Sequence, residues 1–347
     1  MTKLRRLLRQ YWVALVAIIV ILGLFLIPLP YYIEGPGSAN NLKSFVTIKG
    51  HPDKRAGKFM LTSVLMAPAR PITWLYAQLN PHYSVVSAAE VTGGQDNATY
   101  DKVQAFYMRS ATNEAIATAY QAAHASYHKT YRGIYVLEVE KQSKFKSAIK
   151  VGDTITKVNG HHFSNAQGYQ RYIAKQGVGK SVTITYQHNG KTKTKTAPLI
   201  KLTTKRAGIG ITLTDNVKVT TKIPVKVDPG DIGGPSAGLM FSLQIYQQLT
   251  NQNLRHGRKI AGTGTINPDG SVGEIGGIDK KIIAAKKAGA TIFFAPYVKP
   301  TKAVLALEED HQTNYQLAKA TAKKYAPNLK VVPVTTFKQA VHYLETH

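Results

Sequence analysis

Cysteine is absent from this 347-residue chain, tryptophan occurs twice, and 19 acidic residues face 45 lysines and arginines. Without thiols there is no disulfide framework, no cysteine nucleophile and no zinc–thiolate centre. The shortage of acids leaves a formal charge of +26, which calls for an anionic neighbour or a heavily solvated surface. The basic residues are dispersed, as in Lys191-Thr192-Lys193-Thr194-Lys195, without interleaved stacking aromatics. A specific nucleic-acid surface is therefore not expected, and an anionic cell envelope is the simpler partner.

Charge is missing altogether from residues 11–33, and the run is unbroken apolar sequence up to Pro28. That approaches the roughly 20 apolar residues needed to span a bilayer. Lys3, Arg5, Arg6 and Arg9 precede it, and Tyr11, Trp12, Tyr31 and Tyr32 stand where interfacial aromatics belong. The expectation is a cytoplasmic tail over 1–10, a single-pass transmembrane anchor over 11–33, and an extracellular remainder at the cell membrane. A cleaved signal peptide is the competing reading, since Gly37-Ser38-Ala39 loosely resembles a cleavage site. The apolar run exceeds the roughly 7–15 residues of such a segment.

The chain is too long for one ordinary core and divides into several units of mixed α+β character. Residues 34–125 open on a glycine–proline turn and give short alternating stretches that read as strands. A helix is expected over about 112–128, rich in alanine. This region reads as an N-terminal extracellular subdomain or linker with no chemistry of its own.

Residues 126–202 then give a strand, a short helix and turn, a second strand, a helix over 165–176, and a hairpin around Asn189-Gly190. This order, and the stretch from Lys150 through Gly152-Asp153 to Asn159-Gly160, resembles a PDZ domain. The resemblance implies a peptide captured by edge addition on Gly133, Ile134 and Tyr135. The family's carboxylate-binding Gly-Leu-Gly-Phe is at best Arg132-Gly133-Ile134-Tyr135 here. Within the same region, 174–181 nearly spells a phosphate loop, but a helix precedes it and a strand follows, the reverse of the context such a loop needs. His161 and His162 are adjacent at a turn and cannot share a helix face as metal ligands do. No cofactor and no metal is expected.

The remaining segment, 203–347, carries two informative stretches. In the first, Gly230, Gly233 and Gly234 precede Pro235 and Ser236, and a helix is expected to begin near Ser236. A hydroxyl at a helix start lies beside unpaired amides that can stabilise an oxyanion, with Gly234 and Ala237 as candidate donors. An N-cap serine in a glycine turn accounts equally well for this stretch alone.

The second stretch runs from Thr263 through a Pro-Asp-Gly turn to Gly276-Gly277 and a helix. On that helix Lys281 shares a face with Ile278, Ala284, Ala285 and Ala288, whereas Lys280 and Lys287 point elsewhere. A lysine on an apolar face loses its proton more easily, because burial disfavours the ammonium.

Together, Gly234-Pro235-Ser236-Ala237-Gly238 and Gly276-Gly277-Ile278-Asp279-Lys280-Lys281 resemble the proteolytic domain of Lon proteases. The resemblance implies Ser236 as nucleophile, Lys281 as general base and Thr263 as the residue orienting the lysine. Gly233 stands where Lon usually has an acid. Over its whole length the chain resembles the membrane-anchored PDZ-containing Lon-like serine proteases of Gram-positive bacteria, the SepM and YlbL type. That resemblance implies an ATP-independent endopeptidase acting on exported peptides or unfolded proteins, in a chain that can form homo-oligomers.

Two rivals use the same residues. Gly-x-Ser-x-Gly also fits the nucleophile elbow of an α/β-hydrolase esterase, with Asp310 and His342 completing the triad. A catalytically inactive PDZ adaptor for exported proteins is the other.

Overall fold

The computed structural model describes residues 2–203, 206–308 and 311–347, with side chains from residue 11 onward. Its larger sheet has six strands, in the spatial order Lys330–Val334, Ile292–Pro296, Lys259–Gly262, Lys58–Pro68, Tyr31–Asn41 and Ser84–Ser87. The first four run parallel, Tyr31–Asn41 is antiparallel to them, and Ser84–Ser87 is antiparallel to Tyr31–Asn41. A parallel sheet must be covered on both faces, and alternation along the strands divides the work. Phe59, Leu61, Ile260 and Phe294 point to one core, beneath helices Asn97–Ala122, Gly238–Thr250 and Phe337–Thr346. Met60, Ala261, Phe293 and Ala295 point to the other, beneath helices Ile278–Lys287 and Asn314–Tyr325.

Half of this sheet comes from residues that precede the PDZ-like stretch. The expected separate subdomain over 34–125 is thus corrected: three strands from before the PDZ-like stretch belong to the sheet that carries the C-terminal elements. The physical reason is pairing. Lys58–Pro68 lies directly against Lys259–Gly262, in register from Lys58–Lys259 to Leu61–Gly262. The expected helix over 112–128 is also longer and earlier, running Asn97–Ala122 with Asp96 capping it, and Tyr127 already opens the next strand.

The second sheet has the order Ile211–Thr221, Tyr127–Val139, Thr154–Val158, Ser181–His188, Lys191–Pro198. Its own core of Ile134, Val136, Phe145, Ile155, Tyr169 and Ile184 is closed by helix Ala166–Gln176. Asn189 and Gly190 both take positive φ, the backbone a two-residue hairpin needs. The unit is an insertion. The chain enters it from helix Asn97–Ala122 and leaves it through Val225–Val227, which pairs back onto Val46–Ile48.

At the amino end, helix Thr2–Leu26 precedes the first strand. Among the described residues no helix is long and apolar enough to cross a membrane. The run 11–33 is not one element: the helix stops at Leu26, Pro28 and Pro30 cannot continue it, and Ile33 is buried in the sheet opposite Ala67.

One buried charge pair ties the N-terminal segment to the rest. Arg255, wholly buried, donates two hydrogen bonds to Asp53 at 2.6 and 2.7 Å, and Gln244 adds a third at 2.9 Å. Burial pushes the Asp53 carboxyl up, but these donors outweigh it and hold the group below the usual carboxylate range.

Candidate active site

Ser236 sits in a turn just before helix Gly238–Thr250, which is capped by Ala237. The helix starts two residues later than expected, so Ser236 is presented by the turn and is half-buried. Its main chain is fixed by the neighbouring strand end: the Ser236 carbonyl accepts from Gly264 N at 2.9 Å and from Thr263 Oγ1 at 3.1 Å. A Cβ on Gly238 would lie 2.7 Å from the Ile266 side chain and 2.8 Å from its amide nitrogen, so that position admits no side chain. The strand Val225–Val227 is separated from Ser236 by a loop. A nucleophile elbow, which requires the serine directly after a buried strand, is not formed.

Thr263 follows strand Lys259–Gly262 and is wholly buried, with its amide donating to Phe294 O at 3.1 Å. Its hydroxyl accepts from Lys281 Nζ at 3.1 Å while donating to Ser236 O. Lys281 is reached through Gly277, whose φ of 66° places it in the left-handed region at the start of helix Ile278–Lys287. Ile278, Ala284 and Ala285 are buried on the same helix face, and Lys281 itself is 3% exposed. Lys286 and Lys287 face water, and Lys280 pairs with Asp279 at 3.0 Å. Burial pushes Lys281 down to about 7, opposed by the nearby Glu34 carboxylate. An ordinary lysine is neutral in roughly one molecule in a few thousand at pH 7; this one is neutral in a large fraction.

Ser236 and Lys281 line one open cleft of about 1320 Å³. Its walls are residues 61–66 of strand Lys58–Pro68 on one side and helix Asn97–Ala122 on the other. Glu274 also faces it, pushed up to about 7 by burial, with Glu308 adding to the rise and a hydrogen bond from the Asn314 amide opposing it. Among the described residues, no strand pairs with 62–68 on the side away from Tyr31–Asn41. That edge lies open to the cleft.

The expected oxyanion donors separate. The Gly234 amide already donates to Gln104 O at 3.1 Å, so it is not available, because helix Asn97–Ala122 passes too close. The Ala237 amide has no protein acceptor among the described residues. The same closeness explains the glycine at 233: a Cβ there would lie 2.9 Å from the Gln104 Cβ, leaving no room for the acid usual in Lon.

The expected peptide edge at Gly133, Ile134 and Tyr135 is corrected too. That strand is internal, paired with Ile211–Thr221 on one side and Thr154–Val158 on the other. Ile134 is core, Tyr135 stacks on Phe106 with ring centroids 3.6 Å apart, and a Gly133 Cβ would meet Ile155 O. The edge strands of this sheet are Lys191–Pro198 and Ile211–Thr221, and helix Ala166–Gln176 lies beside the latter: the Asp215 carboxylate accepts from Ala166 N at 2.7 Å. The sequence held a signal for this. Gly208-Ile209-Gly210-Ile211 repeats a glycine–aliphatic–glycine–aliphatic pattern ahead of the open strand, but it follows the other strands of the unit instead of preceding them.

His342 is exposed on the C-terminal helix and does not line the cleft; Asp310 lies outside the described residues.

Two family models match the chain. Residues 111–199 match the PDZ domain, and residues 189–319 match the Lon protease C-terminal proteolytic domain. This chain contains a PDZ domain and a Lon-type serine-peptidase domain. The peptidase domain is similar to the Lon protease of Flavobacterium johnsoniae, 36% identical over 90 residues, which is 26% of this chain and 10% of that protein. The Lon protease of Porphyromonas gingivalis is 39% identical over 84 residues, 24% of this chain and 10% of that protein. The chain thus spans about a tenth of the length of the curated relatives it matches. The PDZ domain of an SdrC-like protein from Listeria monocytogenes is 34% identical, covering 24% of this chain and 90% of that one, with a TM-score of 0.24. Neither family match reaches residues 31–110, although the peptidase sheet takes three of its strands from them.

Proposed function

We propose that this protein is an ATP-independent endopeptidase, anchored in the cell membrane by its N-terminal helix, that cuts exported peptides or unfolded proteins on the outer side. Ser236 is the nucleophile and Lys281 the general base. The observation that carries this reading is a lysine 3% exposed, with a pKa of about 7, lining the same cleft as a half-buried serine and linked to that serine's carbonyl through one threonine.

The chemistry follows from the proton positions. Neutral Lys281 Nζ takes the proton of the Ser236 hydroxyl as Oγ bonds to the scissile carbonyl carbon, and the carbonyl oxygen becomes an oxyanion. The Ala237 amide, unpaired among the described residues, is the donor for that charge, worth about 3–4 kcal/mol. The Lys281 ammonium then protonates the leaving amine as the C–N bond breaks, leaving an acyl-enzyme and a neutral lysine. Water repeats the sequence: its proton goes to Lys281, its oxygen displaces Ser236, and the hydroxyl is restored. Thr263 holds Nζ in place by accepting one of its N–H bonds throughout.

An extended substrate laid along the open edge at 62–68 satisfies its backbone by strand addition and brings a carbonyl to Ser236. The PDZ domain recruits peptides at its own edge strand, over 211–215. Purified full-length protein is incubated with an unfolded protein, with and without ATP. Cleavage is expected in both, lost in Ser236→Ala and Lys281→Ala, and normal in His342→Ala. Full activity in Lys281→Ala, or dependence on ATP, sinks the proposal.

A further inference from the structure

We propose that helix Pro71–Leu79 is a second lipid-contacting element, lying in the headgroup region of the outer leaflet beside the N-terminal helix and holding the catalytic cleft at the membrane surface. This rests on the membrane-anchor reading above.

The helix sequence, Pro-Ile-Thr-Trp-Leu-Tyr-Ala-Gln-Leu, contains no charge. Its polarity is inverted relative to a water-facing helix. The small Ala77 is buried against Ile33 and Ala69, whereas Trp74, Leu75, Tyr76 and Leu79 are 37%, 51%, 52% and 77% exposed. A surface helix in water directs such side chains inward. Leu65, Met66 and Tyr31 extend the exposed apolar surface along the adjoining strand ends.

Position identifies the occupant. The described side chains of the N-terminal helix are almost all exposed, and it packs against helix Pro71–Leu79. As the chain leaves that helix, Leu29 N donates to Ala69 O at 2.9 Å and Ala69 N donates to Tyr31 O at 2.8 Å. Ala69 stands two residues before Pro71. With the amino end cytoplasmic, the backbone at 29–31 emerges at the outer interface, so helix Pro71–Leu79 begins at the same level. Tryptophan and tyrosine concentrate at that depth, with the ring in the apolar boundary and the polar group in the headgroups. Arg70, exposed at the helix N-cap, and the net charge of the chain favour anionic lipid. Leu65, Met66 and Pro68 also line the cleft, which therefore opens at the lipid surface and receives peptides that partition into it.

The two tryptophans of the chain fall one in each element, Trp12 and Trp74. Full-length protein is reconstituted in vesicles of phosphatidylcholine and phosphatidylglycerol as Trp12→Phe, which leaves Trp74, and as Trp74→Phe, which leaves Trp12. Emission is read with a lipid spin-labelled near the headgroup and with aqueous iodide. The proposal expects Trp74 to be quenched at least twofold more by the spin-labelled lipid than by iodide, and Trp12 to be quenched by lipid as well. Trp74 quenched by iodide and indifferent to lipid, with Trp12 lipid-quenched, overturns the helix proposal and leaves the anchor standing. Trp74 shielded from both quenchers overturns it in favour of a protein surface such as a second copy. Trp12 untouched by lipid removes the anchor reading, and the proposal falls with it.

Discussion

In the proposed mechanism Lys281 makes opposite contributions to catalysis and to stability. Its pKa falls from 10.5 in the unfolded chain to about 7 in the folded one. Folding therefore disfavours the ammonium, and stability is lost as pH falls from 10.5 toward 7, at about 1.4 kcal/mol per unit. Lys281→Met is expected to be inactive but more stable than wild type by several kcal/mol at pH 7, at that same ~1.4 kcal/mol per unit. Denaturant unfolding at a series of pH values checks this, and the difference should shrink as pH rises toward 10. Activity has a dependence of the same sign, increasing with pH through about 7 as the base becomes neutral. Glu274 titrates in the same range, so Glu274→Gln is the control: it should keep the rise. Gly233 gives a separate residue-level test. Gly233→Ala drives a methyl into the Gln104 Cβ and should displace the serine turn, lowering kcat at least tenfold. Gln104→Gly in the same chain should restore part of it, at a cost of about 1 kcal/mol for glycine inside a helix.

Helix Asn97–Ala122 is the element through which the two domains meet. Its Gln104 carbonyl holds Gly234 beside the serine, Phe106 stacks on Tyr135 of the PDZ core, and Asn113 bonds Val217 and Val219 on the PDZ edge strand. Glu114 adds an ion pair to Lys129 at 2.7 Å. Phe106→Ala removes the stacked contact without touching the cleft chemistry. It should destabilise by about 3–5 kcal/mol if the core cannot close the gap, and faster amide hydrogen exchange should appear in both Tyr127–Val139 and the 230–237 loop. Exchange confined to the PDZ strand refutes the shared element. Helical periodicity over 112–122 was legible from its alanines. The earlier stretch, about four turns over 97–111, was not, because polar and aromatic residues facing two different domains blur the apolar stripe.

For the molecule as a whole, the peptidase sheet needs residues on both sides of the PDZ insertion. A fragment starting at 203 retains Ser236 and Lys281 yet lacks strands Tyr31–Asn41 and Lys58–Pro68 and leaves Arg255 buried without Asp53. Such a fragment is expected to be unfolded by circular dichroism, since stranding one buried charge alone costs about 3–5 kcal/mol. Replacing the PDZ insertion by a short linker should leave a folded sheet. What the sequence determined by itself is local and chemical: the glycine-framed serine, the lysine on an alanine face, the hairpin at Asn189-Gly190, and the uncharged run near the amino end. These are set by neighbours a few residues away, through backbone freedom and helical periodicity. The tertiary structure alone decided that the N-terminal strands belong to the peptidase sheet, that Gly133, Ile134 and Tyr135 are interior, that the Gly234 amide is occupied, and that Ser236 and Lys281 share a cleft. Each of these depends on which distant segments pair or collide, and strand pairing between residues some 200 apart leaves no periodic trace in either segment.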